Sequence, residues 1–222
     1  MHDTRPVAVT IARQFGSGGA ALGARLAQRL GFVFIDRQIL SRAANALGVD
    51  EDAVAVREER VATFWQGLLD SFARGVPDDV FSPQPQLIPT EQGLFAAQQQ
   101  ALRELAACGD CVVVGRGGFK ALAGVARCVN VFLHASEAYR VARLEQDGRA
   151  DNRAVALDMI LKADAERARY IREVTSAQWH DARNYDLCLD MGRLDRDGRG
   201  MDAALAVIER VVRAIAGPDK PI

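Results

Sequence analysis

The chain has 222 residues, 49% of them apolar, and a formal net charge of −1. That length suits one α/β domain of ordinary size with a small insertion, and the apolar share supports a sizeable core. A near-neutral charge argues against a general nucleic-acid surface or a polybasic membrane patch. Met1-His2-Asp3-Thr4-Arg5-Pro6 carries no apolar leader segment, and no apolar run approaches membrane-spanning length. The expectation is therefore a soluble, cytoplasmic protein with no membrane and no nucleic-acid partner. The basic residues are skewed: only Lys120, Lys162 and Lys220 are lysines, and the rest are arginines.

In chain order, Val7–Ile11 is a short β-branched run and reads as a buried strand. A glycine-rich turn follows, then Ala20–Leu30, whose Leu22, Leu26 and Leu30 share one helical face. Gly31 is placed to end that helix. Phe32–Ile35 reads as a second strand, ending at Asp36. Residues from Gln38 to about Leu47 and from 50 to 75 read as helical, whereas 76–90, with Pro77, Pro83, Pro85 and Pro89, reads as a loop or cap. Thr90-Glu91-Gln92 is suited to open a helix running to about Ala107.

Val112–Val114 is a third strand, followed by Gly115-Arg116-Gly117-Gly118, and Cys128–Leu133 a fourth. Ser136 then caps a helix expected to carry Arg140, Arg143 and Arg149. Residues 151–174 are a second arginine-studded helix, Tyr185–Asp190 a fifth strand, and Met201–Ala216 a closing amphipathic helix. Strands alternating with helices imply a parallel sheet covered on both faces.

Cys108 and Cys111 have C-x-x-C spacing, but no second ligand pair accompanies them for zinc. They also precede a strand, whereas a redox pair would open a helix. Together with Cys128 and Cys188 they read as reduced, buried thiols. Trp179-His180-Asp181 reads as a turn with a packed tryptophan, and His134 as structural. An apolar stripe on 61–72 (Phe64, Trp65, Leu68, Leu69, Phe72) suits a homodimer.

The turn after the first strand carries the chemistry. A strand–glycine loop–helix unit points main-chain N–H groups and a helix dipole at one place, which suits a phosphate. A Walker loop would read G-x-x-x-x-G-K-[ST]. Laid on that pattern, Arg13 stands at the first glycine, Gly18 at the last and Gly19 at the lysine. No lysine occurs before Lys120, so a cation at the phosphates must be an arginine, a metal or a group from elsewhere. A dinucleotide turn is the rival: Gly16-x-Gly18-x-x-Ala21 fits its fingerprint, and Asp36 ends the second strand. Against it, Ala12 to Phe15 separate the first strand from Gly16, and the third strand comes late. A plain tight turn is the third reading.

Several segments in order resemble the cytidylate kinase-like family, a divergent branch of the nucleoside monophosphate kinases. They are Ile11-Ala12-Arg13-Gln14-Phe15-Gly16-Ser17-Gly18-Gly19, Phe34-Ile35-Asp36-Arg37, Val113-Val114-Gly115-Arg116-Gly117, Val131-Phe132-Leu133-His134-Ala135-Ser136 and Tyr185-Asp186-Leu187-Cys188-Leu189-Asp190. The resemblance implies an α/β, three-layer P-loop NTPase-type fold: a central five-stranded parallel sheet with a helical insertion and a lid. It implies a single domain over 1–222, with 50–95 as the acceptor-side insertion and 145–180 as the lid region. It further implies phosphoryl transfer from ATP, with Mg2+, to a small nucleotide acceptor such as CMP or dCMP.

Carried over by position, Gly16, Ser17, Gly18, Gly19 and Ala20 form the phosphate-binding loop. The resemblance further implies that Asp36, Arg37, Arg116, Asp164 and Arg167 face the acceptor, with Arg116 and Arg167 as catalytic cations, and it assigns no residue to a metal. Arg13 is not carried over; it is expected to swing toward the phosphates as a third catalytic cation in place of the missing lysine. Arginine forks grip phosphate in bidentate fashion, so several arginines from separate loops are the machinery such a transfer needs. Arg140, Arg143, Arg169 and Arg172 read instead as solvated helix faces or members of ion pairs. The missing lysine, and Ala20 where relatives often carry a basic residue, leave two alternatives: a nucleotide-binding protein without turnover and, more remotely, an NAD-binding oxidoreductase.

Overall fold

In the computed structural model, which describes residues 3–36 and 91–217, the five apolar runs are strands. They are β1 (Val7–Arg13), β2 (Val33–Ile35), β3 (Cys111–Val114), β4 (Arg127–His134) and β5 (Leu187–Asp190). All pair in parallel, in the order β2-β3-β1-β4-β5. Central β1 is buried from Val7 through Ala12, as expected of a strand covered on both faces. The order disposes of the dinucleotide reading. In that fold the second strand lies directly beside the first; here β3 stands between β1 and β2.

The helices are α1 (Gly19–Leu30), α2 (Glu91–Cys108), α3 (Gly118–Ala121), α4 (Glu137–Gln146), α5 (Arg153–Thr175), α6 (Met191–Leu194) and α7 (Gly200–Ala216). On one face α1 and α7 press Leu22, Leu26, Leu205 and Ile208 onto Val9, Ile11, Val129 and Val131. On the other, α2 presses Leu102 and Leu105 onto Ala8 and Val113. Nearer the C-terminal ends of the strands, Ala12 and Phe132 meet Phe119, Ile171 of α5 and Trp179. The three layers follow from strands buried on both sides and helices carrying one apolar stripe each.

The expected signals end the elements where they should. Gly31 adopts φ 68 and donates its N–H to Ala27 and Gln28 carbonyls. The Ser136 hydroxyl oxygen accepts from Tyr139 N, as read, and Asn152, which the sequence reading did not single out, caps α5 by accepting from Val155 N. Three readings are corrected. The fourth helix stops at Gln146, with Gly148 at φ 64, so Arg149 lies off it. Tyr185 and Asp186 precede β5, because a 3-10 turn over Ala182–Asn184 is capped by Asp181. And of the four free cysteines only Cys111 is buried, while Cys108 and Cys188 are exposed. Burial pushes the Cys111 thiol far above its usual range and Cys128 up to about 11.

The helices read over 38–75, the loop over 76–90 and the apolar stripe over 61–72 lie outside the described residues. No described helix is long and apolar enough to cross a membrane.

Candidate active site

β1 delivers the chain to the C-terminal edge of the sheet, where it turns through Gln14–Gly18 into α1. The turn is fastened to β4: Gln14 N donates to Leu133 O at 2.9 Å, and Gln14 Oε1 accepts from Ala135 N at 3.2 Å. Gly16 and Gly18 adopt φ of 83° and 87°, a region that side chains with a Cβ rarely enter. Ser17 between them is fully buried, and its hydroxyl donates to Gln14 O at 2.8 Å. Gly18 caps α1 without a side-chain bond, and the first turn of α1 holds no acidic residue. The positive end of α1 is thus left for an anion.

Arg13 explains why the lysine position is a glycine. A Cβ built on Gly19 would lie 2.7 Å from Arg13 Cγ, and one built on Gly115 would collide with the Arg13 guanidinium. The Arg13 stem occupies the place where a lysine side chain at position 19 would start. The guanidinium then reaches toward Gly115, at the end of β3. Burial, then the charges of Arg167 and Arg116, bring its pKa down to about 10, with Asp36 opposing. Arg13 therefore shares one cleft with Arg116 and Arg167, and Asp36 at the end of β2 acts on it as a counter-charge.

Arg116 is held in an uncommon way. Gly115, Arg116 and Gly117 take φ of 85°, 59° and 65° in succession, so Arg116 is a left-handed residue between two left-handed glycines. Such strain is found where a side chain must be aimed. Its guanidinium lies 5.5 Å from the Tyr170 ring centroid, and its carbonyl accepts from Gln99 Nε2 at 2.9 Å. Arg167, on α5, donates to Arg13 O at 3.2 Å, and burial lowers its pKa while Asp164 opposes. Arg13, Arg116 and Arg167 border one cleft, with Thr10 as floor and Tyr170 and Trp179 as an aromatic wall.

The sequence-assigned set is only partly assembled by the described residues. Gly16, Ser17, Gly18 and Gly19 form the turn, and Ala20 is exposed in the first turn of α1. Arg13, Arg116 and Arg167 line the cleft, whereas Asp36 does not line it and acts on Arg13 through its charge. Asp164 reaches instead to the main chain of the loop, where it accepts from Phe15 N at 2.7 Å. Arg37 lies outside the described residues.

Arg140 and Arg143, read as solvated helix faces or ion pairs, are ion-paired, and Arg140 is buried rather than solvated. Arg140 is only 7% exposed and pairs with Asp164 at 2.6 Å. Arg143 lies over Gly18, with Nη1 2.6 Å from the place of a Cβ there. Periodicity held the missed signal: Arg140, Val141 and Leu144 are the buried stripe of α4. Arg169 and Arg172 are exposed, as read. Phe15 is flanked by Arg149 and Arg167, 4.8 and 5.3 Å from its ring centroid. Trp179 is packed as read, and Asp181 is held at about 2 by hydrogen bonds from Arg183 rather than paired with His180.

Among solved structures, an uncharacterized protein from Eubacterium ventriosum is 20% identical, with a TM-score of 0.65 over 93% of this chain and 98% of that one. A shikimate kinase from Bacteroides thetaiotaomicron is 16% identical, with a TM-score of 0.49 over 93% and 98% of the two chains. A gluconokinase from Sinorhizobium meliloti is 17% identical, with a TM-score of 0.42 over 94% and 97%. No curated protein matches. The model of the cytidylate kinase-like family matches residues 8–193, from β1 through the glycine loop and the arginine-lined cleft into α6. The chain belongs to the cytidylate kinase-like family.

Proposed function

We propose that this protein transfers a phosphoryl group from ATP to a small acceptor, a nucleoside monophosphate such as CMP or dCMP. The observation that carries the reading is the meeting of Arg13, Arg116 and Arg167, from three different elements, in one cleft beside the glycine loop. Three cations that repel one another this closely are suited to anions.

In this reading the loop Gly16, Ser17, Gly18, Gly19 and Ala20 holds the donor phosphates with the α1 dipole and with main-chain N–H groups other than that of Ser17, which donates to Gln14 O at 3.3 Å. Arg116 grips the acceptor phosphate, and Asp36 and Arg37 contact the acceptor nucleotide. Arg13 and Arg167 neutralise charge spreading over the moving group, which is what the protein chiefly contributes in such transfers. Residues 50–95 serve the acceptor side and 145–180 the lid. The described residues hold no cluster of three His, Cys, Asp or Glu, and Ala20 has no hydroxyl where a Walker loop supplies one. They do not form a magnesium cage. Mg2+ binds largely through substrate phosphates and keeps several waters, so it is read as entering on ATP, and no residue here is assigned to it.

ADP release from ATP, measured with each nucleoside monophosphate in turn, tests the reading. Release that depends on CMP or dCMP supports it. One feature favours a second reading, nucleotide binding without turnover: the lysine position is filled by the Arg13 stem. ATP-dependent thermal stabilisation with no ADP release under any acceptor would select that alternative.

A further inference from the structure

We propose that Asp164 is a positioning residue that clasps the phosphate loop to the α4–α5 unit, and that it does not bind the acceptor. The inference rests on the reading of the glycine loop as the nucleotide site. Asp164 Oδ1 accepts from Phe15 N at 2.7 Å, and its Oδ2 receives Arg140 Nη1 at 2.6 Å. The same Arg140 Nη1 donates to Phe15 O at 3.3 Å, so both main-chain polar groups of Phe15 are held by one ion pair. The pair is enclosed: the Arg140 and Asp164 side chains are 9% and 16% exposed. Removing either partner of such an enclosed pair leaves the other's charge uncompensated, which is costly. Arg167 adds a longer contact to Asp164 at 3.5 Å and donates to Arg13 O.

The clasp closes around the loop from behind. Phe15 packs its ring among the apolar residues of α4 and α5, and a Cβ on Gly16 would lie 3.1 Å from Arg140 Cβ. Both carboxylate oxygens of Asp164 are committed to these partners. The conformation of the glycine loop is thereby tied to Asp164 on α5, 149 residues from Phe15 in sequence. Loss of the clasp should act on the donor side, because it is the loop that loosens.

The test uses the full chain and the variants Asp164→Asn and Asp164→Ala. Amide hydrogen exchange at Phe15 is measured without nucleotide, and calorimetry gives the affinities for ATP and CMP separately. The expected result for Asp164→Ala is Phe15 exchange faster by about tenfold or more and ATP affinity down by a similar factor, with CMP affinity within about twofold, as loss of a charge-assisted hydrogen bond implies. Asp164→Asn, whose amide oxygen still accepts from Phe15 N, should fall between and keeps the test alive if the alanine variant does not fold. Lost CMP affinity with unchanged Phe15 exchange overturns the proposal and makes Asp164 an acceptor ligand. Equal acceleration at Phe15 and at core amides such as Val9 also overturns it, as general loosening. If the intact chain binds neither nucleotide, the proposed function fails separately, and Phe15 exchange still decides the clasp.

Discussion

Arg13→Met separates the cost of charge in the cleft from its use. Methionine keeps an unbranched stem against Gly19 and removes the guanidinium that reaches Gly115. In the folded chain burial, then the charges of Arg167 and Arg116, bring the Arg13 pKa from the ordinary guanidinium range down to about 10. Such a shift corresponds to about 3 kcal/mol of unfavourable charge. The sign follows from linkage: a base with a lowered folded pKa destabilises the fold fully below that pKa. The penalty fades only as pH rises from about 10 toward the ordinary guanidinium range, so at neutral pH it is present in full. The variant should therefore raise unfolding stability by about 1–3 kcal/mol, less whatever packing is lost. It should weaken ATP binding by about ten- to a hundredfold, the usual worth of a hydrogen bond to a charged group. Urea unfolding at pH 7, with midpoint and slope both fitted, reads the first, and calorimetry reads the second. A variant no more stable than the parent, with ATP affinity intact, would refute the claim that Arg13 is a strained cation held ready for phosphate.

Other substitutions probe the same geometry. Gly18→Ala places a Cβ at φ 87° and 2.6 Å from Arg143 Nη1, so it should cost about 1–3 kcal/mol and impair ATP binding; an unchanged melting temperature would contradict this. Ser17→Ala removes a fully buried hydroxyl that donates to Gln14 O and should cost about 1 kcal/mol in denaturant unfolding. Arg116→Gly relieves a left-handed non-glycine residue, so stability should move by no more than about 1 kcal/mol. The CMP KM of that variant should rise by about tenfold or more as its phosphate fork is lost; a normal KM would remove Arg116 from the acceptor site.

What the sequence reveals here is what is local. The β1–glycine loop–α1–β2 unit is contiguous, and its strand run, left-handed glycines and Gly31 cap lie side by side in the chain. Arg116 stands out because glycines flank it. The clasp is not visible in this way. It joins Phe15 to Asp164 and Arg140, and nothing local to any of them announces the other two. Residue type left Arg140 as either a solvated face or an ion pair, and its place on the buried stripe of α4 makes it the latter. Likewise, the glycine at the lysine position reads as a loss until the Arg13 stem is seen to fill its space. The reading of Trp179-His180-Asp181 as a turn holds, since its signals are local: Trp179 is buried, and Asp181 caps the 3-10 turn and receives Arg183.

The central claim is that an arginine-lined cleft, with no loop lysine, moves phosphoryl from ATP to a nucleoside monophosphate. ADP formation with Mg2+ and ATP, compared across CMP, dCMP, AMP, GMP and UMP, tests it most directly. The account predicts ADP release that requires CMP or dCMP and that collapses in Arg116→Gly. ATP bound without ADP release for any acceptor, or release indifferent to the acceptor and to Arg116, would contradict it.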